Sequence, residues 1–265
     1  MKQHTKTLGQ VFLHDQNIIQ KIIAFASPSP HMPLIEIGCG KGILTQALAA
    51  LGHPLHVIEI DNRWLTTVKA LHLPNTTFSN QDALSVDFSS HPRSAIIANI
   101  PYHITAPLIE HFSTHKDQFE SITIMIQHEV AQRLLAKNNT KAFGSFTLFS
   151  NYHFDIRKGF RVSRHCFSPE PNVDSMVIKL MPKKNALSDN DTQRFFAMTR
   201  SFFWGRRKTM LNCLMNGPYC HCLPDIQKNH ALTHALKQRG EALNLEDHLA
   251  LFEQVKPYIQ LNCID

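Results

Sequence analysis

Long apolar runs are missing from this 265-residue chain: no stretch of about eighteen consecutive apolar residues, the length that spans a bilayer, occurs. Met1-Lys2-Gln3-His4-Thr5-Lys6 is not followed by an apolar leader core, so the chain is expected to be cytoplasmic, with no membrane partner. Dense cysteine spacing is missing too. Its six cysteines are scattered, which suits reduced thiols in the cytosol better than a disulfide framework. In the tightest group, Cys220-His221-Cys222, ligands at i and i+2 splay apart, and no second Cys-x-x-Cys pair completes a tetrahedral set. A Cys- and His-rich loop is expected there, and no metal. Internal repeats and low-complexity segments are absent as well. What is present is a chain with 43% apolar residues, enough for one large core and a smaller attachment. A net charge of +6 is compatible with a polyanionic partner without identifying one. Location says more: Arg157, Lys158, Arg161 and Arg164 fall close together, and Arg206-Arg207-Lys208 follow Phe202, Phe203 and Trp204, a trio expected in a helix core.

Between about Leu34 and Leu180, short apolar runs alternate with amphipathic stretches, the pattern of an α/β domain with a mostly parallel sheet. Strands are expected at Leu34–Ile37, Leu55–Ile60, Thr76–Phe78, Ala95–Ala98 and Ile122–Ile126, with two more at Phe146–Tyr152 and Val173–Leu180. Helices are expected at Ile43–Leu51, Arg63–Leu71 and Thr105–His115. Asp15 is a suitable N-cap for an earlier one carrying Ile18, Ile19, Ile22 and Ile23. After Pro182 the pattern turns polar and then purely helical, clearest over Arg194–Leu214. Two domains follow, 1–182 and 183–265, the second small and all-α.

The loop Glu36-Ile37-Gly38-Cys39-Gly40-Lys41-Gly42 follows the first of these strands and opens a helix, where a ligand must approach the backbone closely. A dinucleotide loop spaces its glycines G-x-G-x-x-G to seat a pyrophosphate; here they stand at every second position. Glu59, 21 positions beyond Gly38 at the end of the second strand, can accept both hydroxyls of a ribose. Asp82 can accept from the exocyclic amine of an adenine. Together with Gly38 and Gly40 they describe a cleft for an adenosine-bearing cofactor without a pyrophosphate, and S-adenosylmethionine fits.

Asn99-Ile100-Pro101-Tyr102, directly after Ala95-Ile96-Ile97-Ala98, combines a strand end, an amide, a rigid turn and an aromatic face. That combination suits chemistry on a planar amino group. The Asn99 oxygen can accept one N–H of a nucleobase amine, the carbonyl of Ile100 or Pro101 the other, and Tyr102 can stack on the base.

These motifs resemble those of the ribosomal RNA adenine N6-dimethyltransferases, and within them the small-subunit (16S) group. The resemblance runs nearly end to end: Gly9-Gln10-Val11-Phe12-Leu13, the Glu36–Gly42 loop, Ile58-Glu59-Ile60-Asp61, Gln81-Asp82-Ala83-Leu84, Asn99–Tyr102, Gln127–Leu134, Phe167–Ser175 and Arg206–Asn212. It implies a Rossmann-like class I S-adenosylmethionine-dependent methyltransferase fold with a helical, rRNA-binding C-terminal domain. Leu13, Gly38, Glu59, Asp82 and Asn99 match the family's cofactor contacts, with Gln10 and Val11 in the same N-terminal motif. Asn99 and Tyr102 match its target-adenine site, and Phe167 an aromatic that sandwiches the flipped base. Val11 departs from the family's usual Asn or His, so contact there must come from backbone or apolar packing.

The resemblance implies dimethylation of two adjacent adenosines near the 3′ end of small-subunit rRNA, within a pre-30S particle; a monomer is the simplest expectation. Arg133, Lys137, Lys141, Arg157, Arg161, Arg206, Arg207 and Lys208 are expected to grip the RNA backbone. Two rival readings are a macrolide-resistance-type 23S rRNA adenine methyltransferase and a non-catalytic ribosome-assembly or transcription factor of the same fold. Pro107-Leu108-Ile109, the Arg206–Asn212 segment and Arg239–Asp247 resemble the small-subunit group and speak against the first. The intact Gly38, Glu59, Asp82, Asn99 and Tyr102 speak against the second.

Overall fold

A computed structural model of the chain describes residues 11–205, 207–216 and 223–258. Gln10, Arg206 and Cys220-His221-Cys222 lie outside the described residues. Two compact units are formed, one by the described residues of Met1–Ala131 with Phe154–Pro182, the other by those of Gln132–His153 with Lys183–Asp265. A single division at 182/183 therefore misses an excursion: residues 132–153 belong with the second unit, where the Tyr152 ring lies 5.3 Å from that of Phe196.

The described residues of the first unit form nine strands: β1 (Phe12–Leu13), β2 (Leu34–Ile37), β3 (Leu55–Glu59), β4 (Thr76–Asn80), β5 (Ser94–Asn99), β6 (Phe119–Gln127), β7 (Phe154–Val162), β8 (Phe167–Ser168) and β9 (Ser175–Pro182). Seven form one sheet in the order β4-β3-β2-β5-β6-β9-β7, while β1 and β8 pair separately and antiparallel. The pairs from β4 through β6 are parallel, whereas β9 runs antiparallel to both β6 and β7. Strands covered on both faces read as near-continuous apolar runs, and β2, broken only by Glu36, and β5 do so: all of β2 and the first five residues of β5 are buried. Each fully buried Ile, Leu or Phe contributes roughly 1.5–3 kcal/mol to holding the sheet. The chain runs outward from β2 to β3 and β4, then returns to β5 on the other side of β2. That reversal opens a crevice at the strands' carboxyl ends.

Helix Gln16–Ala26 starts where the Asp15 carboxylate accepts the N–H groups of Asn17 and Ile18, and it stops at Ser27 before Pro28. Four points differ from the expectations. Phe146–Tyr152 is a helix, Ser145–His153: the Thr147 hydroxyl accepts the Gly144 N–H at its start, and Leu148 and Tyr152, one turn apart, are both buried. Strand β7 has no counterpart among the expected strands, because its exposed Arg157 and Lys158 interrupt any apolar run at a sheet edge, where charge discourages further pairing. Arg194–Leu214 is two helices, Asp189–Phe202 and Met210–Met215, since the Thr209 side chain accepts the Asn212 N–H and starts a new one. Between them Trp204 is 69% exposed, so of the aromatic trio Phe202 is fully buried and Phe203 partly, and Trp204 lies outside the core.

The second unit is helical throughout its described elements and built around Phe195, Phe202, Leu214, Leu232 and Phe252. Side-chain caps at Ser188, Thr209, Asn229 and Asn244 mark four of its helix starts. Among the described residues no helix is long and apolar enough to cross a membrane.

Candidate active site

A cavity of about 410 Å³ opens at the carboxyl ends of β2, β3 and β5. Beyond β2 the backbone turns through Gly38 at φ +79° and Gly40 at φ +47°, conformations that side chains disfavour. At Gly40 space is also limiting, since a Cβ there would stand 3.0 Å from the Phe12 ring. That ring packs edge-on against Trp64 at 4.8 Å and lies 4.9 Å beneath the Lys41 ammonium, so it forms a fixed wall of the cavity.

Glu59, the last residue of β3, is nearly fully buried. One carboxylate oxygen accepts the Gly40 N–H at 3.3 Å and the other the Asp61 N–H at 2.9 Å. Oε1 keeps a second lone pair, and on Oε2 a hydroxyl can replace the weak Cys39 S–H donor, which is what a vicinal diol requires. The Cys39 thiol lies 3.7 Å from Glu59 Oε2, and burial together with the Glu59 charge pushes that thiol up. Asp82 lines the cavity at the mouth of a short turn, with Oδ1 accepting the Leu84 N–H at 3.0 Å.

Asn99 ends β5 and lines the same cavity. The Ile100 N–H is committed to the Met125 carbonyl and the Pro101 carbonyl to the Ile104 N–H, which fixes the turn. Tyr102 opens that turn half-buried, its hydroxyl 2.8 Å from the Ser175 hydroxyl at the start of β9. Burial raises its phenol above the ordinary range, partly offset by Ser175. The ring's position is thereby set by two strands, β5 before it and β9 across it.

The cavity thus collects Val11, Leu13, Gly38, Gly40, Glu59, Asp82, Asn99 and Tyr102 of the residues singled out from sequence. Val11 is half-buried, with only an apolar side chain to offer. Phe167 is buried opposite Leu13 in the β1–β8 pair and is not among the lining residues. Of the expected RNA-gripping cations, Arg161 is engaged by Asp174, with Nη2 at 2.5 Å, and Arg157 lies 3.9 Å from Asp155. Sequence reasoning passes over Phe12, which fills the Gly40 gap, and Glu36, which is fully buried in the cavity wall with both carboxyl oxygens unpartnered. The signal for Glu36 is a lone acid within an apolar strand.

Three acids, Glu36, Glu59 and Asp82, face this cavity. Glu59 and Asp82 would repel a pyrophosphate, and the three together suit a cationic ligand bearing hydroxyls and an amine, so the residues fit S-adenosylmethionine. Among the described residues no group of three His, Cys, Asp or Glu could hold a metal ion.

The family model for ribosomal RNA adenine dimethylases matches residues 1–238. This chain belongs to that family. A relative named ribosomal RNA small subunit methyltransferase A from Streptococcus pneumoniae is 36% identical over 95% of this chain and 91% of its own length. Its namesake from Anoxybacillus flavithermus is also 36% identical, over 95% and 90%. Among solved structures, a dimethyladenosine transferase from Plasmodium falciparum superposes with a TM-score of 0.80 at 26% identity, covering 93% of this chain and 98% of its own. The 23S rRNA methyltransferase ErmE follows with 0.68 at 26% identity, covering 92% and 99%. The family's fold is the Rossmann-like class I methyltransferase fold, and the sheet described above has it.

Proposed function

We propose that this chain transfers methyl groups from S-adenosylmethionine to N6 of two adjacent adenosines near the 3′ end of small-subunit rRNA. The observation that carries the reading is the shared rim: Asn99 and Tyr102 line the same cavity as Glu59 and Asp82. When bound, S-adenosylmethionine supplies an electrophilic methyl carbon on a sulfonium. Glu59 holds the ribose hydroxyls, Asp82 accepts from the adenine amine, and Phe12 closes the wall beside the glycine loop. Lining up nitrogen, methyl carbon and sulfur is the main task, and such positioning can supply most of the acceleration.

The target adenine must leave its stack to enter. Tyr102, held by Ser175, stacks on it. The Asn99 side-chain oxygen accepts one amine N–H, and the carbonyl of Ile100 or Pro101 accepts the other, the Pro101 oxygen having a second lone pair beside its bond from Ile104. No strong base is required, since the amine becomes acidic only as the N–C bond forms; its proton leaves through these oxygens to water. Phe167, paired directly across from Leu13, completes the base site from its other face as the RNA seats. The substrate is a pre-30S particle and the working form a cytoplasmic monomer. Arg207 and Lys208, both exposed, supply part of the phosphate grip.

The test is incubation of the protein with labelled S-adenosylmethionine and under-methylated small subunits, followed by nucleoside analysis. Labelled N6,N6-dimethyladenosine from small-subunit rRNA is expected. Label appearing instead on large-subunit rRNA would favour the 23S reading, and no label on either would favour a non-catalytic role.

A further inference from the structure

Glu36 has no task in the chemistry above. It sits in β2 between Ile35 and Ile37 and lines the cavity wall, its side chain fully buried and neither carboxyl oxygen hydrogen-bonded or open to solvent. Among the described residues no surrounding element supplies an adjacent counter-charge. From β3 comes Glu59, another acid; from the glycine loop, the Cys39 thiol and Lys41, whose ammonium is drawn over the Phe12 ring. From helix Ile43–Ala49 comes the Thr45 hydroxyl, itself buried and outside ordinary hydrogen-bond geometry. Asp82, Tyr102 and His103 complete the titratable lining.

A carboxylate in such a place, without a cation, is strongly disfavoured. Burial, eased somewhat by Thr45 and reinforced by the Glu59 charge, pushes Glu36 up to about 8. The group therefore carries a proton at neutral pH while no cation shares the cavity.

We propose that Glu36 senses the charge of the methyl donor: neutral in the cavity alone, it ionises against the sulfonium and becomes neutral again when methyl transfer leaves a thioether. This rests on the reading of the cavity as the S-adenosylmethionine site. The balance closes. On donor binding the Glu36 O–H proton goes to water. During transfer the N–C bond forms, the C–S bond breaks with its electron pair remaining on sulfur, and the amine gives up one proton. The sulfur's positive charge is then gone, and Glu36 takes up one proton from solvent. The carboxyl thus favours the charged donor over the uncharged product, and each of two successive transfers ends with the product loosened.

Donor and product share the adenosine and the amino-acid ammonium and differ at sulfur, so the comparison isolates that charge. Calorimetric titration of the full chain in buffers of different ionisation enthalpy counts the protons. At pH 7 S-adenosylmethionine should release about 0.9 proton, the protonated fraction of a group titrating near 8. S-adenosylhomocysteine should release close to none. Lowering the pH from 7 to 6 should weaken S-adenosylmethionine about ninefold and leave S-adenosylhomocysteine nearly unchanged. Glu36→Gln copies the neutral acid in shape. It should bind S-adenosylmethionine with no proton release, little pH dependence and a donor-to-product preference near unity; a ligand-free melt at pH 6 matching the parent's verifies its fold. Equal proton counts for the two ligands, or proton release persisting in Glu36→Gln, which would assign it to a group such as His103, overturn the proposal. Failure of the parent protein to bind either ligand would sink the cofactor reading itself, and this inference with it.

Discussion

The two units bury polar groups in opposite ways. In the first, acids turn inward to a cavity: Glu36 is fully buried without a partner and Glu59 is held by backbone N–H groups. In the second, a packed aromatic core admits His248, whose Nε2 lies 2.9 Å from the Gly240 carbonyl, and burial pushes it down to about 4. The unsatisfied acid of the first unit lines a cavity that a ligand can enter, whereas the second unit's unsatisfied atoms, His248 Nδ1 and Ser150 Oγ among them, are shut inside packed helices. The lesson is a division of labour: a ligand cavity needs an interior left open, and a helical scaffold needs a closed one whose charges face out.

The comparison breaks most sharply at Asn99. Asn99→Ala should lower methyl transfer roughly 10²–10³-fold by removing a positioned acceptor, with RNA affinity unchanged in a filter-binding assay. Loss of both together would mean that the units do not divide the work.

Acidity separates the units next. In the native state Glu36 keeps a proton that the unfolded chain gives up above about 4.5, so without ligand the first unit should lose stability as pH rises towards 8, then level off. His248 does the reverse. The unfolded chain takes a proton below about 6.5 that the native core refuses, so the second unit should weaken as pH falls towards 4. Each effect is on the order of a few kcal/mol, readable as hydrogen exchange in β2 against helix Leu245–Val255. Glu36→Gln should flatten the first slope only and His248→Gln the second only.

Removing outward charge from the second unit should leave chemistry intact. Arg207→Ala with Lys208→Ala should weaken RNA binding and reduce the steepness of its salt dependence by roughly one to two, about 0.7–0.9 for each phosphate no longer neutralised. An unchanged salt slope would place the phosphate grip elsewhere. The smallest effect is expected for Tyr102→Phe, which keeps the ring and loses the Ser175 hydrogen bond. It should change KM for RNA a few-fold through a looser stacking face, in line with a contribution of about 1 kcal/mol.

Legibility follows physics. Strands β2, β3 and β5 can be read because burial on both faces writes them as mostly apolar runs, interrupted by Glu36 in β2 and His56 in β3, and the glycine loop because left-handed backbone admits few other residues. Helix Ser145–His153 reads wrongly as a strand because a short apolar run carries no decisive period, and only its neighbours in the second unit settle it. Strand β7 escapes because edge strands are written in charge. At the site, Glu59, Asp82 and Asn99 stand out as polar residues at strand ends, while Glu36 lies hidden inside a strand and Phe12 draws no notice, since its role depends on the space beside Gly40. Trp204 is legible as an aromatic but not as an exposed one, because the break after Phe202 comes from the cap at Thr209.

The most direct test is the crystal structure of the chain soaked with S-adenosylmethionine or its amine-bearing analogue. It should show the ribose on Glu59, the adenine amine on Asp82, and the methyl position directed at the Asn99 side-chain oxygen, with Glu36 facing the sulfonium end. A donor bound elsewhere, or bound here with its methyl turned away from Asn99, would contradict the account.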